Sequence, residues 1–226
     1  MESRLQRRAQ RYGWDLAADA YDQFWKTQLA GVQTQLLACA VLKPGERVLA
    51  VACGSGQVAF SAAEAVGPSG RVVGVDLSGQ MVESAGRGAK ALGLANVDLA
   101  RMDAENLALP DAHFSVRCVR LASSTCPNPP ARCTRCAACE RRIAETLEYA
   151  NADDACDAAF AGGPVALAWS RFDANVRARV RARYVKAIEP WRVPHGYRIP
   201  AEFVVVSAAF PQRGESPWRS GNLPAA

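Results

Sequence analysis

Between Arg47 and Ser78 the chain reads RVLAVACGSGQVAFSAAEAVGPSGRVVGVDLS, and this stretch leaves few folds open. Val48, Leu49 and Val51 form an apolar run of buried-strand length. Gly54 and Gly56 follow at once. Gln57 to Ala65 is a small-residue helix pattern, stopped by Gly67 and Pro68. Arg71 to Val75 is a second apolar strand, with Asp76 at its end. Two parallel strands joined by a helix make one βαβ unit, whose crossover is expected to be right-handed.

The chemistry of that unit follows from its geometry. A sharp turn from strand to helix needs backbone angles that glycine reaches without a Cβ clash. A ligand can then lie against the backbone at Gly54 and Gly56. The helix N-terminus beyond them offers unpaired N–H groups that favour a carboxylate or phosphate. Asp76 emerges beside the same crevice, where a carboxylate can accept hydrogen bonds from a ribose diol. The pattern therefore points to a nucleoside-bearing cofactor. Gly54-x-Gly56-x-x-Ala59 also fits a dinucleotide fingerprint, which keeps NAD in play.

Residues 1–42 are predicted to be helical, with Leu16, Ala20, Phe24, Leu29, Val32 and Leu36 on one face. Lys43-Pro44-Gly45 ends this N-terminal helical cap and opens the cofactor-binding core, 43–117. Ser78 is expected to cap a helix that runs to Leu92, with Gly93 closing it. Val97 to Met102 reads as the third strand, and Phe114 to Val119 as the start of the fourth. His113, beside the turn between them, reads as a solvated loop residue rather than a catalytic base.

The motifs VACGSG, VDLSGQM and ARMDAENLALPD (100–111), in this order and spacing, resemble those of class I S-adenosylmethionine-dependent methyltransferases. Within that class the chain is most similar to the branch of the ubiquinone/menaquinone-biosynthesis enzymes (methyltransferase type 11), over about residues 8–117 and again 145–208. The resemblance implies an α/β fold: a Rossmann-like, mostly parallel sheet with helices on both faces. It implies S-adenosyl-L-methionine as cofactor, held by Ala52, Cys53, Gly54, Gly56, Asp76, Leu77, Met81, Asp103 and Ala104. The glycine loop would lie along the methionine part and adenosine, Asp76 would hold the ribose, Met81 would pack on the adenine, and Asp103 with Ala104 would meet its edge. It names no catalytic residue. One departure stands out: the family carries an acid in the first strand, as V-L-D-V, where this chain has Val48-Leu49-Ala50-Val51.

Residues 118–144 break the pattern. Five of the chain's eight cysteines fall between Cys118 and Cys139, among Pro127, Pro129 and Pro130. Cys126 with Cys133-x-x-Cys136-x-x-Cys139 has zinc-like spacing, but it is compressed, and Pro129-Pro130 disfavours an ordered turn between ligands. Cysteine codons begin TG, so a frame displaced by one nucleotide turns them into the ends of Leu, Met or Val codons. In that frame 118–139 would encode an L-P-x-P loop and an amphipathic helix of the kind the family carries. The expectation is an out-of-frame, shortened and irregular segment without metal, and a sheet whose second half is incomplete.

The C-terminal region, 145–210, is predicted to hold three short helices and a last strand, Glu202 to Ala208, at the sheet edge. The helices run from Asp153 to Ala161, from Pro164 to Phe172, and from the cap Asp173 to Ile188. The arginines of the third helix alternate along the sequence and so spread around it rather than forming one basic stripe. Residues 211–226 read as a disordered tail.

A net charge of +5 is too mild to indicate nucleic acid, and no apolar run approaches a membrane span. The N-terminus has no signal-peptide pattern, so the expected location is cytoplasmic and the cysteines are expected to be thiols. The expected activity is methyl transfer to a small molecule. The alternatives are a non-catalytic relic that keeps the pocket, and an NAD-dependent oxidoreductase.

Overall fold

The computed structural model describes residues 3–109, 114, 116–123 and 137–209. Its elements in chain order are α1 (Ser3–Ala40), β1 (Arg47–Val51), α2 (Gln57–Val66), β2 (Arg71–Asp76), α3 (Gly79–Ala91), β3 (Val97–Arg101), β4 (Val116–Ser123), β5 (Ala137–Tyr149), α4 (Ala152–Phe160), α5 (Ala166–Arg171), α6 (Ala174–Ile188), β6 (Arg192–Val193) and β7 (Gly196–Ala209). They divide into two compact units, Met1–Ala30 with Ala144–Ala201 and Gly31–Ile143 with Glu202–Ala226. No helix among the described residues is long and apolar enough to cross a membrane.

The second unit is built on the predicted βαβ core. The strand order is β3-β2-β1-β4-β7-β5. β1 pairs in parallel with β2, Val48 opposite Val72 and Ala50 opposite Gly74, and β2 pairs in parallel with β3. β1 also pairs in parallel with β4, with a register shift between Val48 and Ala50. β1 and β2 are buried on both faces, which is why they read as continuous valine-rich runs rather than as alternations. One face holds Leu49, Val51, Val73, Val75, Ala100 and Met102, with Leu107, Leu109 and Phe114 packed against them. Helices α2 and α3 bring Phe60, Ala85 and Ala89 together with Leu94 and Leu99 in a separate cluster.

Both ends of α3 are as predicted. Ser78 Oγ accepts from the Met81 amide at 3.1 Å, and Gly93, at φ 67°, follows the last turn. At the opposite end of the sheet, Arg71 and Asp98 form a two-fold ion pair between β2 and β3, at 2.6 and 2.7 Å.

Three expectations need correction. The last strand does not lie at the sheet edge: β7 is antiparallel to β4 and sits between β4 and β5. Phe203 and Val205 are buried within its run Phe203-Val204-Val205, the signature of an interior strand. The stretch expected to be irregular over 118–144 is strand at both ends, β4 reaching Ser123 and β5 starting at Ala137. In β5, Ile143, Leu147 and Tyr149 are buried while Arg142, Ala144, Thr146 and Glu148 are exposed, a period-two alternation that supplies a strand the sequence reading lacked. Residues 124–136, with Cys126, Cys133 and Cys136, lie outside the described residues, as do His113 and the tail beyond Ala209. Among the described residues no group of His, Cys, Asp and Glu could hold a metal ion.

In the first unit, α4 is capped by Asn151, whose Oδ1 accepts from the Asp154 amide at 2.8 Å, and α6 by Asp173, whose Oδ1 accepts from the Val176 amide at 2.8 Å. Phe160 stacks on Trp169 at 4.6 Å and meets Tyr184 edge-on at 5.2 Å, which ties α4, α5 and α6 together. α5 starts at Ala166, two residues later than Pro164 suggested. A Cβ at Gly13 of α1 would come within 2.1 Å of the Pro164 carbonyl oxygen, so helix and loop meet backbone to backbone there. The expected apolar face of α1 holds at Leu29, Val32 and Leu36, but Leu16 is 52% exposed; Ala17 and Ala18 are buried instead.

Candidate cofactor site

The site forms where β1, β2 and β3 end. β1 stops at Val51, and the next turn uses left-handed backbone three times, at Ala52 (φ 55°), Gly54 (φ 55°) and Gly56 (φ 96°). Two of these positions are glycine. Ala52 adopts the same region with a Cβ, at a cost of about 1–2 kcal/mol, and it is exposed. The Cys53 amide still donates to the Val75 carbonyl at 3.0 Å, so the turn stays stitched to β2. The Gly56 carbonyl accepts from the Phe60 amide at 2.8 Å and starts α2. No side chain caps that N-terminus, which leaves its first N–H groups for another acceptor.

Asp76 is the hinge of the arrangement. Its Oδ2 accepts from the Gly54 amide at 2.9 Å and its Oδ1 from the Ser78 amide at 2.9 Å. Its carbonyl accepts from the Met102 amide at 2.8 Å, which holds the end of β3 beside that of β2. Asp103, the next residue, is half-buried, and its Oδ1 accepts from the Glu105 amide at 2.9 Å. Ala104 is exposed and Leu77 half-buried. The fold thus brings Cys53, Gly54, Asp76, Leu77 and Asp103 to the carboxyl ends of three adjacent parallel strands, where ligands of open α/β sheets bind.

Packing within the chain itself holds Met81 and Gly56. Met81 is 2% exposed. Ser78 starts α3 so that Met81, Val82, Ala85 and Ala89 all face inward, and Met81 belongs to the core. Leu77, beside Asp76, offers apolar surface in its place. At Gly56 the missing side chain makes room for the chain itself: a Cβ there would meet the Phe60 ring at 2.4 Å. Gly88 on α3 makes room for the same ring, since a Cβ there would lie 2.9 Å from it. Phe60 gave no sequence signal beyond being the one large residue among the small ones of α2.

The Cys53 thiol is buried. Its burial first, and then the nearby Asp76 carboxylate, push its pKa far above the ordinary thiol range. It is neutral at physiological pH and acts as wall rather than nucleophile.

These features fit a cofactor with a nucleoside and a charged amino-acid end. A carboxylate has about four acceptor positions, so contact with a ribose diol is compatible with the two bonds Asp76 makes to backbone amides. The uncapped α2 N-terminus suits a carboxylate. Ala50, 1% exposed in the middle of β1, supplies no polar atom.

Comparison with known proteins agrees with this geometry. Residues 48–141 match the methyltransferase domain family, a match that runs from β1 through the cysteine-rich stretch into β5. The chain is 35% identical over 122 residues to nocamycin O-methyltransferase of Saccharothrix syringae, covering 54% of this chain and 44% of that protein. It is 42% identical over 89 residues to 2-phytyl-1,4-naphtoquinone methyltransferase of Synechococcus elongatus, covering 39% and 38%. The matched part thus spans less than half the length of either relative. Among solved structures, the cyclase SpnF superposes with a TM-score of 0.52 at 14% identity, over 89% of this chain and 97% of that one, a likeness of fold. The glycine turn, the Asp76 anchor and the family match fall on the same strands, so over residues 48–141 the chain is similar to a class I S-adenosylmethionine-dependent methyltransferase domain.

Proposed function

We propose that the protein transfers a methyl group from S-adenosylmethionine to a small, ring-bearing, lipophilic acceptor. The observation that carries this reading is the Gly54–Asp76 anchor at the ends of β1 and β2, which sets a carboxylate and an uncapped helix N-terminus around one crevice. The relatives point to the acceptor class, since one acts on a phytyl-substituted naphthoquinone and another is an O-methyltransferase.

The cofactor supplies a methyl group already activated on a sulfonium, so the protein's share is placement and exclusion of water. In this reading Asp76 accepts from the ribose hydroxyls and Leu77 covers the base, with Asp103 and Ala104 along its edge. Ala52, Cys53 and Gly54 line the methionine end, and the α2 N-terminus faces its carboxylate. Gly56 keeps the turn tight enough for that approach.

A second reading keeps the pocket without turnover, and Ala50 favours it, because β1 lacks the acid that would attract the cofactor's ammonium group. Calorimetry with S-adenosylhomocysteine and with NAD tests the binding step. S-adenosylhomocysteine is expected to bind and NAD not to; tight NAD binding would overturn the assignment. Transfer of labelled methyl to a panel of phenols and quinols then separates the two readings, with product expected from the first and none from the second.

A further inference from the structure

We propose that α6 docks the protein onto an anionic membrane surface. The helix carries Arg177, Arg179, Arg181, Arg183 and Lys186, yet only Ile188 of its fifteen residues is buried. The structure sorts these cations onto two sides. Arg177 donates to the Trp169 and Ser170 carbonyls at 3.1 and 2.9 Å and lies over the Trp169 ring at 5.5 Å. Arg181 bridges Asp153 and Asp157 of α4. Those two hold α6 to its neighbours.

Arg179, Arg183 and Lys186 stand at i, i+4 and i+7, one face of the helix at 3.6 residues per turn. All three are exposed, and the ion pairs recorded among the described residues do not include them. The other residues of that face are Asn175, Val176 and Ala182, so it carries no acid. Like charges at i, i+4 destabilise a helix, and none of the α6 residues on this face is acidic. The sequence alternation of the arginines hid the stripe, which emerges once Arg177 and Arg181 are seen to turn inward.

The ends of the helix decide between two anionic partners. Phe172 precedes its cap and Trp191 follows its last turn, each 39% exposed. A basic helix face with exposed aromatic side chains at its ends suits a headgroup layer over acyl chains. A nucleic-acid backbone needs the cations but has no use for the apolar ends. Docking would also bring the protein to where a lipophilic acceptor resides; that link rests on the proposed function, whereas the docking does not.

The test is flotation of the full chain, without cofactor, on phosphatidylcholine vesicles with and without phosphatidylglycerol. Binding is expected only with phosphatidylglycerol, weakening as salt rises. Each basic residue near such a surface contributes about five-fold, so Arg179→Gln/Arg183→Gln/Lys186→Gln is expected to weaken binding on the order of a hundredfold. Arg87→Gln/Lys90→Gln on α3 is expected to leave it unchanged. Trp191→Ala alone, at an exposed site, is expected to reduce partitioning several-fold while keeping the salt dependence. Equal binding to neutral vesicles, no binding to anionic ones, or equal loss in the α3 variant would overturn the proposal. So would duplex DNA binding that needs the three α6 cations in a protein that ignores vesicles. Because the readout involves no methyl transfer, an inactive enzyme that floats and an active one that does not are separate outcomes.

Discussion

The backbone amide of Gly54 donates to Asp76 Oδ2 at 2.9 Å across 22 residues of chain. This bond ties the turn after β1 to the end of β2, and the Ser78 amide on Oδ1 ties the same carboxylate to the start of α3. Asp76 is therefore a structural anchor, in addition to the ribose contact proposed for it. Asp76→Ala leaves two amides without this acceptor and is expected to cost about 3–6 kcal/mol of stability, hydrogen bonds to a charged group contributing about 1.5–3 each. Asp76→Asn keeps one acceptor oxygen and is expected to lose less. Urea titration measures the stability and calorimetry with S-adenosylhomocysteine the binding. If Asp76→Ala bound the ligand as the parent does while folded, Asp76 would be anchor only.

Gly56 and Phe60 form a second dependent pair. Gly56→Ala sets a Cβ within 2.4 Å of the Phe60 ring and forces φ 96° on a non-glycine residue. The expected loss is about 2–4 kcal/mol, from overpacking and backbone strain together. Adding Phe60→Leu removes the clash and leaves the strain, so the double variant is expected to lose less than the two single losses added together. A double-mutant cycle by urea denaturation reads the coupling; strict additivity would mean that the ring moves aside freely.

The core was legible because its signals are local. Valine runs of strand length, glycines at the βα turn and Ser78 three residues before Met81 each state a conformation through their own chemistry. Phe60 over Gly56, by contrast, is a contact made only when α2 is coiled, and the burial of Met81 follows only once the Ser78 cap fixes which way α3 faces. β5 was missed because its alternation, Ile143, Leu147 and Tyr149, lies among charged residues next to the cysteine-rich stretch and breaks at Glu145. The sheet position of β7 depends on pairing across 80 residues and more, as Ser123 opposite Phe203 shows, and no local pattern encodes that.

Buried thiols make stability depend on alkaline pH. Burial, then Asp76, raise the folded pKa of Cys53; burial raises that of Cys156, against the pull of Arg181. An unfolded thiol titrates near 8.5. Below that value both states hold the proton and the stabilisation is complete. Above it the unfolded state releases the proton first, so stability falls as pH rises toward the folded value, by up to ~1.4 kcal/mol per pH unit for each group. Cys53→Ala is expected to make the decline from about pH 8.5 to 10 shallower. Chemical denaturation across that range checks it, and an unchanged slope would mean that the Cys53 thiol gains water in the native state. In native protein at neutral pH, Cys39, which is partly exposed, is expected to react with a thiol reagent well before Cys53.

Ala50 tests how far the pocket reaches into the sheet. It is 1% exposed and sits in register with Gly74 of β2 and Val119 of β4. Register partners point to one side of a sheet, and the space over Gly74 is filled: a Cβ there would lie 2.7 Å from Leu99 and 3.2 Å from the Cys53 sulfur. Ala50→Asp therefore puts a carboxylate among apolar neighbours. Without ligand the variant is expected to lose about 2–4 kcal/mol. A bound ammonium group would compensate that charge. S-adenosylhomocysteine is therefore expected to raise the variant's melting temperature by more than it raises the parent's, although the variant starts lower. A smaller or equal rise, measured at the same ligand concentration, would place Ala50 in the core and out of reach of the cofactor's amino-acid end.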